Sequence, residues 1–169
     1  MSNMRLRGEY DVATEQDRIQ LIANLIEEGA KSPAIRELSL NILRQYGARE
    51  KNELDEVKAI FDYIKKNIQY RKDVRCKDSY HTPERILQLH SGDCDDFSIL
   101  TDSMLMSVGY EVGLRIMASR ADMPFHHIYS LVYLKKYGWT ALDGTNKSYG
   151  VGDQPKYAKK KDFVLQCGD

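Results

Sequence analysis

The sequence predicts an α+β fold in which a set of helices precedes an antiparallel sheet. In the N-terminal third, apolar residues recur at three- and four-residue spacing, which is typical of amphipathic helices. After residue 110, segments rich in aromatic and β-branched residues follow one another with short turns between them. Because strands joined by short turns pair in antiparallel fashion, we expect these segments to form one sheet.

Three helices are predicted before residue 70. Gly29 is expected to end the first, and Ser32-Pro33 to begin the second as an N-cap followed by proline, with Gly47 at its end. The apolar residues of the three helices are, in order, Ile19, Ile22 and Ile26, then Ile35, Leu38, Ile42 and Tyr46, then Leu54, Val57, Ile60, Phe61 and Ile64. We expect the first two helices to cover the rest of the fold, although they could equally dock a partner.

A cysteine follows at a point where a turn becomes a helix. Residues 91–101 have the sequence SGDCDDFSILT, in which Asp93 is the predicted N-cap and Asp96 its capping-box partner. The apolar residues expected along one buried side of this helix are Phe97, Leu100, Thr101, Met104, Leu105 and Val108. Cys94 occupies the first helical position, where backbone N–H groups and the macrodipole favour a thiolate. Cys94 is therefore a candidate nucleophile.

The alternative for Cys94 is a buried cysteine that packs as a small apolar side chain, as is usual for a lone cysteine. A glycine and three aspartates flank it, which is unusual for a core position. Asp93, Asp95 and Asp96 would raise the pKa of the thiol unless their side chains face away. A nearby histidine is therefore required if Cys94 is to react.

Residues 125–143 predict a β-hairpin that supplies this histidine. The segment 125–134 is a strand candidate, 135–138 a turn and 139–143 the returning strand. With the loop centred near Lys135, the numbers of facing residues sum to about 270, so that His127 faces Asp143 with Cβ atoms roughly 4.5–5.5 Å apart. His126 would point to the other face. Before the hairpin, the alternating Val112, Leu114, Ile116 and Ala118 predict a half-buried strand.

Cys94, His127 and Asp143 thus form a candidate nucleophile, general base and orienting acid. Taken singly, His127 could be a hydrogen-bonded histidine at a sheet edge, and Asp143 could simply begin a turn before Gly144. The order of the three residues along the chain and the register of the hairpin bring them towards one another, which favours a catalytic role.

Three segments resemble the core motifs of the transglutaminase-like superfamily: GDCDDFS at 92–98, HIYSLVY at 127–133 and WTALDGT at 139–145. The resemblance covers roughly residues 50 to 145 and implies a papain-like fold with a triad on Cys94, His127 and Asp143. Upstream, NIQY at 67–70 resembles the strand before the nucleophile, which implies an oxyanion-hole role for Tyr70, and TPERIL at 82–87 resembles the short helix that follows. Gly144 stands where the family often has proline, a departure expected to be harmless.

The resemblance also implies amide chemistry through a thioester. We expect hydrolysis of a peptide or protein amide, by a peptidase, isopeptidase or deamidase, because a small domain has little surface with which to exclude water. Two alternatives remain open: transglutaminase-type acyl transfer to an amine, and a non-enzymatic structural or interaction protein that retains the fold, such as a phage component. Small stand-alone members of this kind are frequent in bacterial and phage genomes.

The 169 residues are expected to form one domain, with a helical cover at 1–49, a catalytic core at 50–145 and a C-terminal extension at 146–169. Acidic and basic residues balance at 25 each, so that neither a nucleic acid nor a membrane surface is an expected partner. With no apolar leader or span, a soluble cytoplasmic protein is expected. The basic segment 157–162 is expected to be a solvated surface, with docking of an acidic partner as the alternative.

No cofactor or metal is expected. The donor-rich residues Cys94, Asp95, Asp96, His126 and His127 contain atoms suited to zinc. However, no Cys-x-x-Cys or His-x-x-x-His pair occurs, and His81 and His90 flank a short helix too far apart to share a face. The odd number of cysteines fits a reducing compartment, with Cys76 and Cys167 as incidental thiols.

Overall fold

The computed structural model describes residues 14–46, 52–72 and 80–166. Within these ranges the helices are α1 (Glu15–Ala30), α2 (Pro33–Gln45), α3 (Glu53–Asn67), α4 (Pro83–Leu89) and α5 (Cys94–Ser107). The strands are β1 (Gln69–Tyr70), β2 (Ser91–Gly92), β3 (Val112–Ala118), β4 (His127–Leu134), β5 (Gly138–Leu142) and β6 (Lys159–Leu165). The predicted α+β class is confirmed. Gly47, Cys76 and Cys167 lie outside the described residues.

The first four helices begin where the sequence provides a side-chain oxygen as N-cap. The caps, each of which accepts a backbone N–H three residues later, are Thr14, Ser32, Asn52 and Thr82. Proline follows the cap at the start of α2 and of α4, as the sequence predicts for α2. None of the helices in the described ranges is both long and apolar enough to cross a membrane.

Gly29 does not end α1, which continues to Ala30, and the prediction was wrong on this point. Gly29 is buried, and a Cβ there would lie 2.5 Å from Cγ of Pro83 and 2.6 Å from Oγ of Ser103. The residue is therefore a close-packing position, where α1 approaches both α4 and α5, rather than a helix terminator.

Helix α5 is the centre of the fold. Every residue from Asp95 to Leu105 is buried, whereas a single buried stripe was expected. The expectation was wrong because α1 to α4 and strands β3 and β4 all contact α5, so that no side of it remains for solvent. Its polar residues are consequently buried too; the hydroxyl of Ser103, for example, donates to the carbonyl of Ile26 on α1 at 3.3 Å.

The main sheet has the order β5-β4-β3-β6, and all of its pairs are antiparallel. The consecutive pairing of β3, β4 and β5 confirms the prediction. Strand β3 is buried on both faces rather than half-buried, because a second cluster formed by Met117, Tyr129, Leu131 and Ala141 lies on the face away from α5.

Strand β6 was not predicted. It contains most of the basic segment that was expected to be a solvated surface, and it pairs with β3 from Val112↔Leu165 to Ala118↔Lys159. Since β6 is the last strand in the sheet order, its lysines occupy an edge, where natural sheets often place them.

A two-stranded parallel sheet holds the turn before Cys94. Gln69 pairs with Ser91 and Tyr70 with Gly92. The backbone N–H of Gln69 donates to the carbonyl of His90, and that of Arg71 to the carbonyl of Gly92, both at 2.8 Å. The turn is therefore fixed on the upstream side by β1 and on the downstream side by α5.

Candidate active site

Cys94 is the first residue of α5, and the predicted capping box surrounds it. The N–H of Asp96 donates to Oδ1 of Asp93 at 3.0 Å, and the N–H of Asp93 donates to Oδ2 of Asp96 at 3.3 Å. These bonds consume donors at the start of the helix and fix the carboxylates of Asp93 and Asp96 there.

The electrostatic environment of Cys94 opposes ionisation. Burial raises the pKa of its thiol to about 12, and the charges of Asp95 and Asp93 act in the same direction. The backbone N–H of Ile128 and the charge of Arg18 lower the pKa but do not offset the increase. The helix N-terminus alone therefore does not produce the thiolate that its position favours, and a base must take the proton.

The two aspartates that follow Cys94 are both buried, and each contacts a basic side chain from another segment. Asp95 is bound by the guanidinium of Arg18 on α1, with Nη2 at 2.8 and 2.9 Å from the two carboxylate oxygens. Asp96 lies 3.1 and 3.2 Å from Nδ1 of His81. Burial raises the pKa of Asp96, and the contact with His81 lowers it.

His127 and Asp143 form a short hydrogen bond, with 2.8 Å between Nε2 and Oδ2. Because a carboxylate only accepts, Nε2 carries the proton, and Nδ1 is the ring nitrogen that can accept a proton from a thiol. The Asp143 carboxylate is buried, and its Oδ1 accepts the N–H of Thr145 at 3.1 Å and its hydroxyl at 2.7 Å. Asp143 thus begins a turn with one oxygen and binds the imidazole with the other.

The register of the hairpin differs from the predicted one by two residues. The observed pairs, such as Ser130↔Leu142 and Leu134↔Gly138, have numbers that sum to 272. The reason is a three-residue loop, 135–137, followed by Gly138 at φ 74°. His127 and Asp143 are therefore diagonal neighbours rather than directly opposed. Since the shift is even, they keep the same face, and the predicted contact survives.

The start of β4 is also the part of the sheet that meets Cys94. The backbone N–H of Ile128, the residue after His127, interacts with the thiol. Below it, the hydroxyl of Ser130 donates to the carbonyl of Ser98 on α5 at 3.5 Å. The ring of His127 lies 5.7 Å from that of Tyr129, and Tyr129 donates to Gln154 at 2.8 Å.

His126 takes no part in the contact with Asp143. It is exposed, and its Nε2 accepts the backbone N–H of Ser119 at 3.0 Å. The alternation of side chains along the strand therefore separates the two histidines as expected.

Tyr70 lies beside the nucleophile turn through its pairing with Gly92, and its ring packs edge-on against Phe97 with centroids 6.4 Å apart. Its role in an oxyanion hole stays a prediction. Phe97 also explains Gly144, where a Cβ would lie 2.8 Å from Cδ1 of the Phe97 ring. Glycine therefore allows the loop after Asp143 to approach α5, and a larger residue would require Phe97 to move.

Sequence reasoning did not find Arg18 or His81 as neighbours of the Cys94 turn. A signal for Arg18 exists: it stands four residues before Ile22 and eight before Ile26, so that a charge lies in line with the buried stripe of α1. Nothing comparable marks His81. Among the described residues, no group of three His, Cys, Asp or Glu side chains could hold a metal ion.

Comparisons with known proteins bear on the family and on the fold. The family profile described as the transglutaminase-like superfamily matches residues 41–144. A presumptive cysteine protease from Cytophaga hutchinsonii superposes with a TM-score of 0.51 at 17% identity, covering 76% of this chain and 46% of that one. A presumptive protease from Parabacteroides distasonis gives 0.56 at 13%, covering 72% and 25%. A structure described as a TGase gives 0.51 at 18%, covering 94% and 40%.

The chain thus corresponds to less than half the length of each of these structures. The search of curated proteins gave no match. The likeness to the solved structures shows a shared papain-like, transglutaminase-like fold. Together with the family match, it supports a cysteine-dependent enzyme in general without separating hydrolysis from acyl transfer.

Proposed function

Because the chain belongs to the transglutaminase-like superfamily, we propose that it is a cysteine-dependent amide hydrolase that acts on a peptide or protein amide. Cys94 is the nucleophile, His127 the general base and acid, and Asp143 the orienting acid. The observation that carries the proposal is the 2.8 Å bond between His127 and Asp143 at the strand end where the backbone of Ile128 reaches the Cys94 thiol.

The raised pKa of Cys94 determines how the first step proceeds. The thiol is protonated at rest, so His127 Nδ1 takes its proton as the sulfur attacks the carbonyl carbon. Asp143 stabilises the resulting imidazolium through Nε2. The backbone N–H of Cys94, with help from Tyr70, stabilises the oxyanion of the tetrahedral intermediate.

The remaining steps return the site to its starting state. The C–N bond breaks, the leaving amine takes the proton from His127, and a thioester to Cys94 remains. Water then attacks the thioester, giving up a proton to His127, and the carboxylic acid leaves as Cys94 recovers its proton. An amine in place of this water would give acyl transfer from the same thioester.

The proposal is tested by following amide products and the acyl-enzyme together. We would incubate the full chain with a panel of peptides that carry side-chain, isopeptide and main-chain amides, with and without a primary amine such as cadaverine. Mass spectrometry would record the new carboxylates, the amine adducts and the mass added to the peptide containing Cys94. His126→Ala serves as the matched control, because it removes an adjacent histidine that does not contact Asp143.

We expect new carboxylates that disappear in Cys94→Ala and persist in His126→Ala. Amine adducts in place of carboxylates would assign acyl transfer. If no acyl-enzyme formed even with an activated 4-nitrophenyl ester, the non-enzymatic alternative would be favoured instead.

A further inference from the structure

The residue after the nucleophile is a carboxylate that the fold buries almost completely. Asp95 is 1% exposed, and its side chain cannot be solvated where it lies. Both of its oxygens bind one guanidinium nitrogen of Arg18, which is itself about one-third exposed. The negative charge beside Cys94 is therefore offset by a positive charge from a residue 77 positions away in the sequence.

Helix α1 places Arg18 there through its packing on α5. Arg18, Ile22 and Ile26 share one face of α1, and the two isoleucines are fully buried. Farther along the helix, Gly29 allows the close approach to Ser103 of α5. Helix α1 thus contacts α5 at both of its ends, yet it lies wholly before the residues that match the family.

We propose that Arg18 is a positioning residue for the Cys94 centre: by neutralising Asp95 it allows negative charge to develop on the adjacent sulfur. The helix expected to serve as a cover would then be part of the reactive site. The inference rests on the proposed function for its biological meaning, but the effect of the charge on Cys94 can be measured without an amide substrate.

The charges around the thiol support this role. The carboxylates of Asp95 and Asp93 raise the pKa of Cys94, and the guanidinium of Arg18 lowers it. The neighbouring Asp96 contacts His81, while the guanidinium of Arg18 binds Asp95. Without Arg18, a proton transfer from Cys94 to His127 would create an anion next to a buried carboxylate that has lost this positive charge.

The test is the pH profile of Cys94 alkylation in the 169-residue chain. Limiting iodoacetamide would be applied from pH 6 to 10, and mass spectrometry would quantify the peptide that contains Cys94 separately from those with Cys76 and Cys167. The variants are Arg18→Gln, Arg18→Lys, Asp95→Asn and the double change Arg18→Gln with Asp95→Asn. Lys31→Gln is the control. It removes an exposed positive charge at the end of the same helix, and the amine of Lys31 lies near Glu27 rather than near Asp95.

We expect Arg18→Gln to lower the alkylation rate of Cys94 near pH 7.5 by about tenfold and to shift its profile upward, the size expected for loss of one nearby compensating charge. The alkylation rate of Arg18→Lys should stay within about threefold of the parent rate, because lysine keeps the positive charge but lacks the planar guanidinium group. Asp95→Asn should react at least as fast as the parent, and the double variant should stay within about twofold of Asp95→Asn, because Arg18 then has no carboxylate to neutralise. Lys31→Gln should follow the parent.

The inference would be overturned if the pH profile of Arg18→Gln superimposed on that of the parent, or if Arg18→Lys lost as much alkylation rate as Arg18→Gln. The Arg18–Asp95 ion pair would then have a structural role alone. If Arg18→Gln does not fold, Asp95→Asn and the double variant decide, because both lack the Asp95 carboxylate: a double variant clearly slower than Asp95→Asn, or an Asp95→Asn variant slower than the parent, would overturn the inference. Absence of amide turnover in the parent would remove the proposed function without affecting this comparison.

Discussion

Cys94 lies between two regions that act on it in opposite directions. On the helix side, the first turn of α5 places the buried carboxylates of Asp93 and Asp95 next to the thiol and raises its pKa. On the sheet side, the start of β4 brings a backbone N–H to the sulfur and places His127, held by Asp143, at the same strand end. The comparison indicates that the helix fixes the position of Cys94, whereas the hairpin must supply the reactivity that we propose for it.

The largest effect is expected on the sheet side. His127→Ala removes the base, and we expect alkylation of Cys94 at neutral pH to fall by at least about a hundredfold. His126→Ala should leave the rate within about twofold, since His126 binds Ser119 instead. Iodoacetamide labelling of the two variants side by side is the measurement. Unchanged rates in both variants would mean that the helix side, and not the hairpin, controls the reactivity of the thiol.

The sheet-side pair could be predicted from the sequence because its members are only 16 residues apart and one short loop joins them. The exact pairing was off by two residues, yet the contact was right, because a shift of two keeps side chains on the same face. The capping box was predictable for the same reason, since it spans three residues. Arg18 was not, because its approach to Asp95 depends on how α1 packs across 77 residues of chain.

The second prediction tests the helix side through stability. Arg18→Met removes the guanidinium that binds the buried carboxylate of Asp95, and we expect the free energy of unfolding at pH 7 to fall by about 3 kcal/mol, near the lower end for a broken buried ion pair. Asp95→Asn should cost less, because Arg18 is one-third exposed and can reach water. Urea unfolding of both variants gives the two values. If Asp95→Asn lost more unfolding free energy than Arg18→Met, burying the Asp95 carboxylate without the guanidinium of Arg18 would not be the more destabilising change.

A third prediction concerns Asp102, which lies on α5 two turns beyond Cys94. It is fully buried, and, unlike the three aspartates of the first turn, neither of its oxygens has a hydrogen-bond partner among the described residues. Burial raises the pKa of Asp102 well above its ordinary value, and the nearby hydroxyl of Ser130, whose hydrogen bond goes to the carbonyl of Ser98, offsets this increase only in part. The folded protein therefore keeps a proton that the unfolded chain releases above about pH 4.

Because the folded state binds more protons, stability must fall as the pH rises from the ordinary towards the raised pKa of Asp102, by at most about 1.4 kcal/mol per pH unit. Asp102→Asn keeps the shape and removes the titration, so its stability relative to the parent should increase with pH. Urea unfolding of both proteins at pH 5, 6, 7 and 8 measures this. A constant difference over that range would mean that Asp102 is not protonated in the fold.

The burial of Asp102 also shows why the interior of α5 could not be predicted. Its polar residues, such as Ser98 and Asp102, indicate a solvated face if the helix is considered alone. Four helices on one side and the sheet on the other leave no such face. Strand β6 was missed for a related reason: three successive lysines indicate solvent, and only pairing with β3 makes them an edge strand.

The smallest effect is expected from Asp143→Asn, which tests whether the hairpin carboxylate does one task or two. The structure gives it two, since Oδ1 binds Thr145 and Oδ2 binds His127. Asparagine has a single carbonyl oxygen and can satisfy only one of these. If that oxygen stays on Thr145, the amide N–H₂ faces His127 and cannot accept the Nε2 proton, so the tautomer with Nδ1 ready to receive the Cys94 proton is lost.

We therefore expect the pH profile of Cys94 alkylation to shift upward, with a rate about tenfold lower near neutral pH, while the free energy of unfolding changes by less than about 1 kcal/mol. Alkylation profiles and urea unfolding of the same preparation measure both quantities. An unchanged profile together with a clear loss of stability would reverse the assignment, leaving Asp143 as a turn residue and Cys94 with His127 alone.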